Sequence, residues 1–291
     1  MTRTDLRNLV KGLAFVSPWL IGFSIFLATP IGLSFYYSLC DYPLARPPMY
    51  IGAQNYRWLL HDPLFWRGMR NTAYYAAMAL PAGMLVSLGL ALLLNAKVWG
   101  QGLFRTIIFL PSLIPAVASA MLWLWVFNSK LGLFNHLLGK IGIAGPQWLG
   151  ADWAMPSLAL MSVWGVGNTV VIYLAGLQDV PADLLEAAEI DGAGRWRKLW
   201  SVTIPLLSPV IFFNLIMALI GMVQTLTVPY IMTGGGPNNA TYFYTMYLYD
   251  NAFRYVHMGY ASAMAWIQLL VILSLTGIAF WSGRRWVHYQ S

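Results

Sequence analysis

An all-α membrane protein with six transmembrane helices is the fold class this sequence predicts, on three observations. Of 291 residues, 59% are hydrophobic and only 9% charged, whereas a soluble domain carries about 25% charged residues. The apolar residues are gathered into long blocks free of Asp, Glu, Lys and Arg, and about 20 such residues suffice to cross the hydrocarbon core. The basic residues fall between the blocks. A large core would not remove the need for a polar exterior; a bilayer does. Backbone groups in lipid must be satisfied within their own segment, and runs of this length are far too long for barrel strands, so the spans are helices.

Taken in order, the spans lie at about 12–39, 72–96, 106–128, 153–178, 204–232 and 258–283, in a single transmembrane domain covering 1–291. The first follows Arg3, Arg7 and Lys11 and is much longer than a signal peptide's apolar region of about 7–15 residues, so a retained anchor is expected. The fifth run extends from Leu199 to Tyr249, too long for one helix. Thr233-Gly234-Gly235-Gly236-Pro237-Asn238-Asn239 carries a loop signature that ends the span before it.

Orientation follows the distribution of Lys and Arg. With the N-terminus in the cytoplasm, the inner segments hold 10 basic residues in 60, namely Arg3, Arg7, Lys11, Lys97, Arg105, Arg195, Arg197, Lys198, Arg284 and Arg285. The outer segments hold 7 in 89, so both termini are expected in the cytoplasm. Tryptophans near span ends, such as Trp19, Trp66, Trp153 and Trp281, fit interfacial anchoring.

Several function classes are disfavoured. The net charge of +7 comes from scattered residues, not the clustered basic patch that nucleic acid requires. Cys40 is the single cysteine, so no internal disulfide forms. His61, His136, His257 and His288 have no partner at metal-ligand spacing, so no metal site and no catalytic residues are expected. The predicted spans contain no ionisable residue, which counts against a proton-driven carrier, where such residues mark the relay. Gly139-Lys140 is followed by Ile141 and does not make a phosphate-binding loop. If ATP drives transport, a separate subunit binds it, and this chain itself binds no cofactor.

The loop at 179–203 carries the strongest signal. Pro181 suits a helix start, because its missing N–H is not needed there. Asp183 and Glu186 favour the positive end of the helix. Leu184, Leu185 and Ala188 share one apolar face, and Gly192 and Gly194 stop the helix. A second amphipathic piece follows, with Trp196, Leu199, Trp200 and Thr203 on one face and Pro205 leading into the fifth span; by its physics alone the loop reads equally as an amphipathic segment lying on the bilayer surface.

The run Glu186-Ala187-Ala188 with Gly192, then Ile204-Pro205-Leu206, resembles the EAA loop of ABC-importer permeases. The longer stretch "LAGLQDVPADLLEAAEIDGAGRWRKLWSVTIPLLSP" is similar to the carbohydrate-uptake, maltose-type branch. So are "YIMTGGGPNNAT", "IGAQNYRWLLHDPLFWRGMRNT" and "RTIIFLPSLIPAVASAMLWLWVFN". The resemblance covers nearly the whole chain, and it implies the type I importer architecture in its shorter, six-span form.

What that implies is specific. The chain would pair with a second permease subunit, a cytoplasmic ATPase dimer that uses ATP and Mg, and an extracytoplasmic solute-binding protein in a bacterial inner membrane. Glu186, Ala187, Ala188, Asp191 and Gly192 would couple it to the ATPase. Gly165, Asn168, Gln224 and Thr225, the polar and glycine interruptions of the fourth and fifth spans, would line the path of a sugar or oligosaccharide. Such polar side chains also serve as hydrogen-bonding glue between helices, so both roles stand open here. A cation-free pore favours a small neutral solute. The alternatives are a polyol or glycerol phosphate, or an ion-coupled carrier working alone.

Overall fold

The computed structural model describes residues 3–96 and 99–288; Lys97, counted above among the inner basic residues, lies outside them. Four uninterrupted apolar helices are long enough to cross a membrane: Lys11–Ser38, Pro63–Asn95, Arg195–Val223 and Met258–Gly283. Two further apolar segments are bent pairs, Gln101–Leu113 with Ala116–Val126 and Ala154–Trp164 with Gly167–Gln178, which bring the count to six if each pair is one span. The described strands are a two-residue pair, Cys40–Asp41 against Met49–Tyr50.

The third apolar run is not the straight helix that 106–128 implies. It bends by 100°. Pro111 sits in a tight 3₁₀ turn at Leu110–Leu113, and Ile114 is held extended (φ −76°, ψ 128°) before Pro115, as a residue preceding proline must be. The fifth also departs from its expected bounds. Its helix begins at Arg195 and runs without a break through a π-helical turn at Leu199–Thr203 to Val223, so the second amphipathic piece of the 179–203 loop is the first part of this span. It ends at Gln224, and a separate short helix, Thr227–Thr233, completes the 204–232 region.

Contacts divide the chain into two compact units. The first comprises residues 1–62 and 248–269. Within it, buried Asn55 donates from Nδ2 to the carbonyls of Ser38 and Cys40, both at 2.9 Å. The Tyr260 hydroxyl donates to Asp62 Oδ2 at 2.6 Å, and Phe35 meets Trp266 edge to face at 5.0 Å. Few side chains of the Lys11–Ser38 helix are covered; Phe15 is 93% exposed and Phe26 77%. Such surface is stable only against lipid or another apolar chain.

The second unit comprises residues 63–247 and 270–291. Its core joins three helices through Ala91 and Leu94, Val170, Tyr173, Leu174 and Leu177, and Leu207. Small residues permit the close crossings that membrane helices favour. A Cβ on Gly176 would meet Val210 Cγ2 at 2.7 Å, and one on Gly167 would meet the Ile108 carbonyl at 2.8 Å. Phe212 packs on Phe280 at 5.0 Å and on Trp286 at 5.9 Å.

Candidate functional site

All the residues singled out as a site lie in the second unit, in two groups joined by continuous helix. The first group is the corner loop. Helix Ala182–Ile190 starts directly after Pro181, with Asp183 in its first turn. Its stop is a full Schellman closure: Ala193 N–H donates to the Ala188 carbonyl at 2.9 Å and Gly192 N–H to the Glu189 carbonyl at 3.0 Å. Asp191 is the C-cap residue, and its N–H reaches the Ala187 carbonyl at 3.0 Å. Gly192 has φ +78° with nothing within 4 Å of a Cβ position. The glycine is therefore required by backbone conformation, at about 1–2 kcal/mol for an L-residue, and not by lack of space.

Glu186, Ala187, Asp191 and Gly192 are exposed and Ala188 is half-buried. The corner presents apolar surface as well: Ile190 is 86% exposed, Trp196 75% and Trp200 65%. Ile190 was missed by the face drawn through Leu184, Leu185 and Ala188; the signal was its place beside the glycine stop, where a side chain leaves the helix's own packing. Across the corner, Lys198 Nζ meets Glu189 Oε2 at 3.0 Å. Glu189 is largely solvated there, so the pair is worth at most about 1 kcal/mol. The corner is thus a well-determined shape that presents an apolar and acidic face.

The second group occupies two helix breaks. Gly165 is the C-cap of Ala154–Trp164, exposed, at a 48° bend. Asn168 is exposed just beyond it, on Gly167–Gln178. Gln224 caps the Arg195–Val223 helix and is exposed, with Thr225 half-buried beside it. The Thr227–Thr233 helix that leaves the second break packs against Ala154–Trp164, which leads into the first. The side chains of Asn168, Gln224 and Thr225 make no hydrogen bond among the described residues. Unwound backbone at broken spans is tolerated only where it is buried in protein or lines a cavity, and membrane transporters place solute there. Beside the first break, Trp123 and Trp164 stand edge to face at 5.8 Å, and the buried Trp123 indole N–H has no acceptor among the described residues.

A structural element that sequence reasoning treated only as a loop holds the second break in place. Asn71 Nδ2 donates to the carbonyls of Asn239 and Tyr242, at 2.9 and 3.0 Å. Thr72 Oγ1 accepts from the Tyr244 N–H at 3.0 Å and donates to Gly68. Thr241 Oγ1 donates to the Gly236 carbonyl at 2.9 Å and lies 2.7 Å from Thr233 Oγ1. Thr241, Phe243 and Tyr244 are almost wholly buried. Burial pushes the Tyr244 phenol's pKa up, because the charged phenolate would lose its water. Among the described residues no group of His, Cys, Asp and Glu could hold a metal.

Long apolar helices, two broken spans and an exposed cornered loop define a multi-pass membrane permease. Residues 79–288 match the family of binding-protein-dependent transport system inner membrane components. Over its whole length the chain is 38% identical to the probable ABC transporter permease protein YesP of Bacillus subtilis, covering 96% of that protein. It is 32% identical to the sulfoquinovosyl glycerol transport system permease protein SmoG of Agrobacterium fabrum, over 94% of this chain and 90% of that one. Among solved structures, a bacterial ABC transporter involved in the import of the acidic polysaccharide alginate superposes with a TM-score of 0.81 at 26% identity, over 97% of this chain and 98% of that one. The chain belongs to the binding-protein-dependent transport system inner membrane component family and is the permease part of an ABC importer.

Proposed function

We propose that this chain carries a saccharide into the cytoplasm as one of two permease subunits, and that its Ala182–Ile190 helix seats on a cytoplasmic ATPase. The observation that carries the reading is the continuity of the Arg195–Val223 helix, which starts three residues after the Gly192 turn and ends at Gln224. Movement imposed on the corner reaches the second break through one rigid element, and two-state rearrangement of rigid elements is how such switches operate. The apolar surface of Ile190 and Trp196 seats the helix, while Glu186 and Asp191 offer charge to basic partner groups. The fixed Gly192 turn sets the direction of approach.

Saccharide cargo is supported by the site's chemistry and by the substrates named for the relatives, sulfoquinovosyl glycerol and alginate. Asn168, Gln224 and Thr225 supply donors and acceptors free to meet hydroxyls, and Gly165 allows a ring to approach the backbone. Trp164 supplies an apolar face, and sites for small ligands combine such faces with a few aimed polar groups. ATP and Mg act in the partner subunit, solute is delivered by an extracytoplasmic binding protein, and both termini face the cytoplasm.

The test is ATP hydrolysis by the chain reconstituted with its partner permease and ATPase, with and without solute-loaded binding protein. Stimulation is expected in the wild type. It should fall at least tenfold in Gly192→Val and in Ile190→Glu, the latter at a solvent-facing position where folding is not at stake. Full stimulation in both variants would remove the coupling role.

A further inference from the structure

We infer that the slot between the Gln101–Phe109 and Gly167–Gln178 helices binds an anionic phospholipid, its phosphate held by Arg105. The slot has a volume of about 240 Å³. Its polar side chains are Arg105 and Gln178; the rest of the lining is apolar, including Ile108, Val170, Val171 and Leu174. The polarity is ordered along the slot. Gly167 sits against the backbone of Ile108 and Phe109, so the two helices cross with Phe109 beside the start of one and Arg105 displaced toward the end that carries Gln178. A charged end followed by an apolar channel matches a headgroup followed by an acyl chain.

Among the described residues Arg105 makes no ion pair, and its Nε is buried without a hydrogen-bond partner. A guanidinium at a membrane boundary with no acid paired to it is costly to keep, and phosphate oxygens match its planar fork. The surroundings choose the source of that phosphate. Val171 in the lining is 49% exposed, so the slot opens onto apolar surface of the kind that acyl chains cover. Basic pockets between membrane helices hold anionic headgroups in this way. A free phosphate would leave the apolar channel empty. The slot also runs along the helix that joins the first break to the corner loop, so an occupant stiffens the link between them.

The experiment is native mass spectrometry of the full chain released from nanodiscs of mixed phosphatidylglycerol and phosphatidylcholine. The wild type should retain one phosphatidylglycerol with about tenfold preference, the value of one charge-assisted hydrogen bond set. Arg105→Gln should bring the preference near unity, and Arg105→Lys should restore part of it. Ala175→Leu, on the exposed rim of the slot, leaves Arg105 in place and should reduce retention of both lipids by blocking the channel. Should Arg105→Gln fold poorly, the Ala175→Leu result decides alone. Equal phosphatidylglycerol retention in wild type and variants overturns the proposal, and so does displacement of the lipid by inorganic phosphate, which would show a headgroup site without a chain.

Discussion

At the start of the Arg195–Val223 helix the chain turns at Gly192, where a Cβ would meet nothing within 4 Å; past its far end it turns again at Gly235, where a Cβ would meet the Tyr242 ring at 2.5 Å. Both glycines have positive φ, +78° and +87°. In sequence the two segments carry the same glycine-rich signal. In the fold, one corner leaves Ile190 and Trp196 in the open, while the other buries Thr241, Phe243 and Tyr244 and is tied to a neighbouring helix by Asn71 and Thr72. A corner whose polar groups are satisfied within the chain serves the chain's own architecture. A corner that is equally well determined yet exposes large apolar side chains is shaped for something outside it.

The comparison can be broken by four measurements. Gly235→Ala combines left-handed backbone strain with a clash on the Tyr242 ring, for a loss of about 3 kcal/mol. Thermal unfolding in detergent should show it as the largest destabilisation of the set, with loss of transport following from loss of fold. Asn71→Ala removes two hydrogen bonds, one to a buried and one to a half-buried carbonyl, at a cost of about 2 kcal/mol, read by the same assay. Gly192→Ala should cost about 1 kcal/mol of stability and yet abolish most of the ATPase stimulation by loaded binding protein. A Gly192→Ala protein as unstable as Gly235→Ala, or one with intact stimulation, would erase the contrast between the corners. Lys198→Met removes a solvated ion pair and should change stability by no more than about 0.5 kcal/mol.

The parts of the fold that were legible in the sequence are those set by local chemistry. Charge-free blocks announced apolar helices, and Pro181 and Gly192 marked the bounds of a helix through dihedral preferences that act within a few residues. The 100° bend in the third run was equally local, written in Pro111 and Pro115, but the run's hydrophobicity masked it. Asn71 could not be read in advance, because its partner Asn239 lies 168 positions away and nothing in either neighbourhood names the other. The same limit hid Trp123 beside Trp164 and the buried Arg105 Nε that finds no partner among the described residues, since such neighbourhoods are set by residues far apart in the sequence. Asn168 and Gln224 were found as polar interruptions of apolar runs; that each stands at or beside a break in its helix required the backbone.

The unbroken Arg195–Val223 helix of 29 residues has a mechanical consequence. At 1.5 Å per residue it is a lever about 43 Å long. A tilt of about 5° imposed at the corner swings the Gln224 end through about 4 Å, wider than a water molecule. A partner that shifted the corner by a small angle would therefore move the Gln224 end without touching it, because the length of the arm supplies the amplitude.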